Sequence, residues 1–597
     1  FLQNVDVLVS NGQVVDCVPK ASRTAQKTID LDGAYLLPAF IDTHVHIESS
    51  MLSPERFSDL VVPHGTGVVI ADPHEIANVA GTKGIEYMLK AAANTPLDIR
   101  FMLPSCVPAT PFENSGATLM AQDLRPFYAQ PKVQGLAEVM NIPGVLQQDR
   151  DLLQKLFDAK EAGVAIDGHA PMVSGSALSA CAVAGIGSDH ECATVKEMQE
   201  RIRRGIAVNI REGSAARNFA ALIQGVTDQN AHLCLFCTDD ANPTDIEMRG
   251  HIEKHLRMAV KAGLSPMTAL RMATLYAARH YGLKNIGAIA PGYRADFAVV
   301  KTLTDFEVLE VFLRGKRVAR NGVILAPTKE LYQSESVLSS VKTAPLKLEN
   351  FKIELHGSSI RTIKVLPEQI LTEVGRQKIC SSDVAFDAKD YPGLVKIAVI
   401  ERHHEKATIG LGVLQNYIQP GSLMDGAIAT TIAHDSHNVV IAGGNDEDML
   451  LAHDTLKAMG GGMVVVKHHQ VIATFALPIA GLMSDKTSAE VIQGQSTLYK
   501  VAQEAFNFCD GVEPVMTLAF MSLPVIPKLR MTDKGVFDVL RHFHQSLVRH
   551  FLVTLSKRFF PTSHLATNLI GRRATDVITS GDAGFKLKCL FVNVGFN

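Results

Sequence analysis

Between residues 40 and 242 one local pattern occurs eight times: a short apolar run, a polar or ionisable cluster, and a longer amphipathic segment. Consecutive clusters lie 21 to 34 residues apart, which is enough for one strand and one crossover helix. Eight such units predict an α/β fold, a (β/α)8 TIM-like barrel with its chemistry at the C-terminal ends of the strands. The clusters occupy residues 43–46, 71–75, 104–106, 137–141, 167–169, 188–191, 211–214 and 238–240.

β-rich segments flank the predicted barrel, which we assign to residues 39–284. We expect residues 1–38 and 285–325 to form one small composite β domain. The polar stretch 326–348 is typical of a linker. Residues 349–539 predict a C-terminal α+β domain, in which one helix begins after Asn445 and ends at Gly460. Residues 540–597 form a basic tail to which we assign no role.

Charge and cysteine content argue against several classes of protein. Lys and Arg number 58 and Asp and Glu 61, and a net charge of −3 creates no overall attraction to nucleic acid or to an anionic membrane. The nine cysteines are odd in number and scattered, which is unlike a secreted disulfide framework and favours a cytoplasmic location. We find no apolar stretch of about 18 to 20 residues and no signal-peptide pattern, so we predict no membrane span.

Residues of the metal-ligand type end several predicted strands. His44 and His46 are two positions apart on the first strand, so both side chains point to one face and can bind one ion. Taken alone, the pair is equally typical of two hydrogen-bonded histidines at a barrel mouth. Later strands bring further imidazoles and carboxylates to the same rim, which favours a centre of two divalent ions. The predicted ligands are His44, His46 and Asp239 for one ion and His169 and His190 for the other, with Glu138 between them.

Longer motifs around these residues resemble a known family. The His-x-His pair, the two later histidines and the aspartate of the last strand are similar to the amidohydrolase superfamily. More specifically, the chain resembles the bacterial adenine deaminases over about residues 5–539. The motifs are Ile41-Asp-Thr-His-Val-His-Ile-Glu-Ser-Ser50, Ala71-Asp-Pro-His-Glu-Ile-Ala-Asn78, Gly135-Leu-Ala-Glu-Val-Met-Asn141, Asp167-Gly-His-Ala-Pro171, Ser188-Asp-His-Glu191, Arg211-Glu-Gly-Ser214, Met272-Ala-Thr274, Ile432-Ala-His-Asp-Ser-His-Asn438 and Gly444-Asn-Asp-Glu-Asp448.

The resemblance implies metal-dependent deamination of adenine to hypoxanthine and ammonia, as in purine salvage. It implies manganese or iron(II) as the metal, with zinc as a further candidate, and a homodimer. Many superfamily members bridge their metals with a carbamylated lysine on the fourth strand, but this strand carries Glu138 and no lysine, which implies a glutamate bridge. Metal-bound hydroxide would attack C6 of adenine, with Asp239 as the proton acceptor. We predict that Glu212 donates a proton to ring N1; an ion pair with a rim cation is the alternative for Glu212.

Five further rim residues are candidates for contacts with the substrate. A structural role fits His74 and Glu75 as well as substrate binding does. For Ser105, a structural role in a turn is more common than a hydrogen bond to the base. The resemblance alone implies that the His434, Asp435 and His437 motif of the second domain closes over the barrel, and packing or turn formation is the more common role for such a motif. The five candidates are His74, Glu75, Ser105, Arg211 and Ser214.

Two other functions stay open. An amidohydrolase that opens a cyclic amide of the dihydropyrimidine or hydantoin type would use the same barrel and metals. A catalytically silent scaffold would keep the barrel, although the intact ligand set argues against it. Cys234-x-x-Cys237 suggests zinc or redox chemistry, but alternation along a strand sends the two thiols to opposite faces and favours a structural role.

Overall fold

The chain starts with a tight hairpin. Strands β1 (Val5–Ser10) and β2 (Gln13–Pro19) are antiparallel. Asn11 and Gly12 join them with φ of 50° and 76°. An Asn-Gly pair suits this turn because both residues tolerate the left-handed backbone that the twist of a hairpin requires. A short strand, β3 (Tyr35–Pro38), then leads into the next element.

The computed structural model describes residues 3–214, 216–380, 384–541 and 543–545. Most of the predicted basic tail, 546–597, lies outside these ranges. Within them, no helix combines the length and apolarity needed to cross a bilayer.

Eight parallel strands close into a barrel. Hydrogen-bonded neighbours follow sequence order within the first five strands and within the last three. The N–H of Gly187 donates to the carbonyl of Ile166 at 2.8 Å, and that of Asp239 donates to the carbonyl of His44 at 2.9 Å, which links the two groups at both seams. The predicted (β/α)8 barrel is therefore confirmed. The strands are β4 (Phe40–Val45), β5 (Thr66–Ala71), β6 (Asp98–Leu103), β7 (Val133–Val139), β8 (Ala165–Gly168), β9 (Ser188–Asp189), β10 (Ala207–Arg211) and β11 (Cys234–Cys237).

Helices follow the barrel strands and begin at polar caps. Ser53 accepts the N–H of Arg56 at the first helix, and Thr194 and Glu197 form a capping box farther along. Such caps fix the turn after a strand and so hold the residues of the rim in place. The helices are α1 (Pro54–Val61), α2 (His74–Ala80), α3 (Thr82–Ala91), α4 (Ala121–Leu124), α5 (Ile142–Gln147), α6 (Arg150–Glu161), α7 (Gly175–Ala184), α8 (Val195–Ile202), α9 (Phe219–Leu222), α10 (Pro243–Arg249), α11 (Ile252–Lys261), α12 (Pro266–Met272) and α13 (Leu275–His280).

A five-stranded antiparallel sheet joins the two ends of the barrel segment. Its order is β15-β14-β13-β12-β3, so a strand that precedes the barrel pairs with strands that follow it. The later strands are β12 (Phe297–Val300), β13 (Val308–Leu313), β14 (Lys316–Arg320) and β15 (Val323–Ile324).

The C-terminal part contains a mixed eight-stranded sheet in the order β17-β16-β19-β18-β21-β20-β22-β23, followed by a small antiparallel sheet. The large sheet consists of β16 (Ser359–Val365), β17 (Thr372–Lys378), β18 (Leu394–Ile400), β19 (Ile409–Gln415), β20 (Gly426–Thr430), β21 (Val439–Gly443), β22 (Gly462–Lys467) and β23 (Gln470–Ala476). The helices are α14 (Asp446–Met459), α15 (Ser488–Ala505) and α16 (Pro514–Met521), and the small sheet is β24 (Leu529–Thr532), β25 (Gly535–Asp538) and β26 (Phe543–Gln545).

The barrel and the C-terminal sheet share one hydrophobic core. Leu52, in the loop after β4, belongs to the same buried cluster as Met483 of the C-terminal part. The N–H of Ser484 donates to the carbonyl of Met51 at 2.8 Å. The connecting stretch 326–348 also contributes to this core, through Val337. C-terminal residues thus pack against the loops at the end of the barrel where the polar clusters lie.

Candidate metal centre

The first predicted ligand set meets at the end of β4. The Nε2 atoms of His44 and His46 are 3.2 Å apart, and Nε2 of His46 is 3.1 Å from Oδ1 of Asp239. Two nitrogens bound at 2.0–2.1 Å to one tetrahedral ion would be about 3.3 Å apart. The three side chains are buried, and the spacing of their ligand atoms fits one divalent ion.

The second ring nitrogen of His46 supports this assignment. Its Nδ1 lies 3.1 Å from the backbone carbonyl of Asp72, which only accepts, so Nδ1 carries the proton. The lone pair of Nε2 then points toward Asp239. Metal-binding histidines are commonly fixed in this tautomer by such a carbonyl.

The second set lies beside the first. Nδ1 of His169 is 2.8 Å and Nε2 of His190 is 3.2 Å from Oε2 of Glu138, and the two nitrogens are 3.3 Å apart. The ring of His190 also stacks on that of His44, with centroids 4.2 Å apart. The two sets therefore form one continuous cluster.

Glu138 faces both sets with different oxygens. Its Oε2 contacts His169 and His190, and its Oε1 is 3.6 Å from Nε2 of His46 and 3.5 Å from Nδ1 of His74. Burial alone would raise the pKa of this carboxyl, but the neighbouring imidazoles outweigh it and hold the pKa well below its usual value. The group is an ionised carboxylate, as a bridging ligand must be.

Arg211 orients Asp239 from outside the ligand set. Its Nη1 donates to Oδ2 of Asp239 and to Oε1 of Glu191, both at 2.5 Å. Burial would raise the pKa of Asp239, but Arg211 and His46 together hold it well below the usual range. Oδ1 of Asp239 is thereby left facing the histidines. Arg211 was a candidate for substrate contact, and here it contacts two carboxylates of the protein.

The other candidate residues lie at different distances from the cluster. The Oγ of Ser105 donates to the backbone carbonyl of Glu138 at 2.5 Å, so this hydroxyl supports the end of β7. The Oγ of Ser214 accepts the N–H of Asn242 at 2.9 Å. Both are contacts within the protein; Ser214 in addition lines a pocket beside the rim.

Glu212 is not brought to the cluster. It follows Arg211, and its Oε1 is 3.4 Å from Nη2 of Arg249, the kind of rim ion pair that stood as the alternative to its catalytic role. Glu191, which sequence reasoning missed, lies closer to the ligands: its Oε1 is 3.7 Å from Nδ1 of His169 and from Nε2 of His190. Its position directly after His190 in the chain was the available signal.

His74 and Glu75 connect the centre to the C-terminal part. Nδ1 of His74 is 3.1 Å from Oδ2 of Asp72 and 3.5 Å from Glu138. The carboxylate of Glu75 accepts from Nδ1 of His434 at 2.7 Å and from Nε2 of His437. The C-terminal histidines of the Ile432–Asn438 motif therefore reach the second strand end of the barrel.

The carboxylate of Glu75 and the imidazoles of His434 and His437 form a hydrogen-bonded cluster, which we call the Glu75 cluster. The proton on His437 is on the wrong nitrogen for this cluster to bind a cation. The backbone N–H of Ala433 donates to Nδ1 of His437, so this nitrogen has no proton. The proton of the neutral ring is then on Nε2, which donates it to Glu75. Coordination through Nε2 would need the opposite tautomer, in contrast to His46.

Two family models match the chain: "Amidohydrolase family" over residues 35–318 and "Adenine deaminase C-terminal domain" over residues 369–542. The adenine deaminase of Nitratidesulfovibrio vulgaris (strain DP4) is 45% identical over 556 residues, 90% of this chain and 95% of that protein. The adenine deaminase of Halalkalibacterium halodurans is 42% identical over 536 residues, 89% and 91% of the two chains. A solved β-aspartyl dipeptidase from Fervidobacterium islandicum AW-1 is 18% identical, with a TM-score of 0.43 over 55% of this chain and 96% of that one. The chain belongs to the adenine deaminase family of the amidohydrolases.

Proposed function

We infer that this protein deaminates adenine hydrolytically, giving hypoxanthine and ammonia. The family assignment supports the reaction, and the observation that carries it to this chain is the buried cluster in which the two oxygens of Glu138 face separate sets of imidazoles. Imidazole and carboxylate donors at this spacing fit two divalent ions, and we propose manganese or iron(II), with zinc as a further candidate. The homodimer and the cytoplasmic location stay predictions.

The proposed ligands are those of the sequence analysis. His44, His46 and Asp239 would hold one ion, and His169 and His190 the other. Glu138 would bridge them. When bound, such ions lower the pKa of water toward neutrality and so supply a nucleophile for C6 of adenine.

The reaction needs two proton transfers, one from the attacking water and one to ring N1 of adenine, and side chains of this protein would carry out both. We propose that Asp239 accepts the proton of the attacking water, and Arg211 fixes its orientation through Oδ2. The same guanidinium lies 2.5 Å from Oε1 of Glu191, so it also fixes this second carboxylate, which is 3.7 Å from His169 and from His190. As C6 becomes tetrahedral, ring N1 gains a proton, which a carboxyl group at the rim would donate.

Glu191 and Glu212 are the two candidates for that donor. Burial would raise the pKa of Glu191, but His169 and Arg211 outweigh it and lower the pKa, so Glu191 would first have to take up the proton released by the attacking water and then pass it to N1. We expect Glu191→Gln to lower kcat about 100-fold, and Glu212→Gln to lower it less than about fivefold, because only Glu191 lies beside the ligand imidazoles. Steady-state kinetics, with metal content measured for each variant, make the comparison. The reverse order of effects would return the role to Glu212.

Ammonia release from adenine tests the function directly. Metal-free protein is reconstituted in parallel with manganese, iron(II) and zinc, and hypoxanthine is followed by its absorbance. We expect one ammonia for each hypoxanthine and no opening of dihydrouracil or hydantoin. Ring opening without deamination of adenine would instead support the cyclic-amide function, and inactivity on all substrates would support a scaffold.

A further inference from the structure

A pocket lies between the rim of the barrel and the C-terminal helices. Ser214 and Asp240 line it from the barrel, and His434, Gln495 and Phe520 line it from the C-terminal part. Pockets between two parts of a protein, mostly apolar and with a few placed polar groups, are the usual form of a small-molecule site. The metal-centre residues described above do not themselves line this pocket.

Two residues that line the pocket, Asp240 and His434, are connected to the metal centre by the chain or by hydrogen bonds. Asp240 follows the predicted ligand Asp239 in the chain, and its Oδ1 accepts the hydroxyl of Ser49 at 2.5 Å. His434 is bound by Glu75, whose neighbour His74 lies 3.5 Å from the bridging carboxylate of Glu138. At Asp240 the pocket is one residue along the chain from the predicted ligand Asp239, so a planar molecule that extends past Asp240 would bring one edge toward the centre.

The C-terminal wall has the chemistry for a flat heteroaromatic ring. The rings of His434 and Phe520 are stacked, with centroids 4.9 Å apart and planes 23° apart. Met463 and Met516 add polarisable sulfur atoms to the lining. Aromatic faces and thioethers both interact favourably with aromatic rings. This wall suits a purine, whereas a peptide or a sugar would need more polar partners.

Gln495 is the buried amide of that wall. Its side chain is 6% exposed, and its Nε2 donates to Oη of Tyr499 at 3.0 Å. Its Oε1 accepts no hydrogen bond from the residues that the structure describes. An amide presents an acceptor and a donor side by side, and glutamine pairs in this way with the edges of purines.

We propose that this pocket receives the purine ring and that Gln495 recognises the edge opposite C6. The proposal rests on the function inferred above. With C6 toward the metal centre, N3 and N9–H point away from it and form an adjacent acceptor and donor. Oε1 of Gln495 accepts from N9–H and its amide donates to N3. Because a nucleoside has no N9–H, Gln495 selects the free base.

The test compares two glutamines of the same helix in the metal-loaded, full-length protein. We expect Gln495→Leu to raise KM for adenine about tenfold or more, with kcat within about threefold of the wild type. The kcat/KM ratio of adenine to 9-methyladenine, which lacks N9–H, should fall by a similar factor. Gln493→Leu should change neither value, because Gln493 is exposed and bonded to Thr497.

Binding of hypoxanthine, measured by calorimetry, provides a readout independent of turnover. Its affinity should fall by the same factor in Gln495→Leu and in the more isosteric Gln495→Met, which guards against misfolding of one variant. Wild-type KM, discrimination and affinity in a folded variant would overturn the proposal. An inactive wild type would contradict the proposed function, and hypoxanthine binding would then decide the pocket assignment alone.

Discussion

Changing Glu138 to glutamine is expected to abolish adenine deamination, with kcat lowered about 1,000-fold or more. The carboxylate faces both ligand sets, with Oε1 toward His46 and Oε2 toward His169 and His190. Glutamine keeps the size of the side chain but removes the charge and replaces one acceptor oxygen with a donor NH₂ group, which repels a cation. Fewer than two metal ions per chain should remain after purification.

Two measurements on the variant separate a local effect from a general one. Elemental analysis gives the ions per chain, and ammonia release gives kcat at each metal content. Glu161→Gln, at the exposed end of α6, is the matched control and should behave as the wild type. A Glu138→Gln protein that kept two ions and a kcat within tenfold of the wild type would contradict the bridge.

The barrel could be predicted because its signal is local. Each apolar run becomes a buried strand, and the cluster behind it becomes a strand end, as with His44 and His46 after β4. Helix ends were equally readable: Asn445 accepts the N–H of Asp448 at the start of α14, and Gly460 ends the helix with φ of 78°. Each of these features depends only on a few residues that are neighbours in the sequence, so the sequence alone is enough to predict it.

Which of two adjacent polar residues faces the barrel axis was not predictable. Arg211 is the last residue of β10 and Glu212 follows it directly, so alternation sends the two side chains in opposite directions. Sequence spacing does not say which, and the structure turns Arg211 toward Asp239 and Glu212 toward Arg249. The difference decides which carboxylate lies near the ligands, because Arg211 holds Glu191 there.

Contacts between distant parts of the chain were still harder to foresee. Glu75 and His434 are separated by 359 positions, and their pairing depends on how the C-terminal part packs on the rim. The resemblance suggested that this motif closes over the barrel, but it named no partner in the barrel. The partner in the barrel is the buried carboxylate of Glu75, which accepts hydrogen bonds from His434 and His437. Glu75 therefore links the barrel to the C-terminal part.

Glu75→Gln is therefore expected to destabilise the protein by about 3 kcal/mol, the range found when one partner of a buried pair is removed. Burial would raise the pKa of Glu75, but His434 and His437 outweigh it and hold the pKa well below its usual value, so the native group is a carboxylate. Glutamine would present an N–H to one of two imidazole N–H groups. Urea unfolding of the metal-loaded protein measures the change. Glu86→Gln, in an exposed pair with Lys90 at 4.0 Å, should stay within about 0.5 kcal/mol of the wild type.

The pH dependence of the difference in unfolding free energy between wild type and Glu75→Gln tests whether the Glu75 cluster of Glu75, His434 and His437 is its cause. Burial lowers the pKa of His434, but Glu75 more than compensates and raises it to about 9. A raised histidine pKa contributes stability that is fully present below the unfolded value of about 6.5 and is lost as pH rises through the folded value. The gap between wild type and Glu75→Gln should thus be largest near pH 6 and shrink between pH 6.5 and about 9. A difference in unfolding free energy that stayed constant from pH 6 to pH 9 would contradict this explanation. The variant would then have lost packing contacts, and no ionic interaction would link the barrel to the C-terminal part.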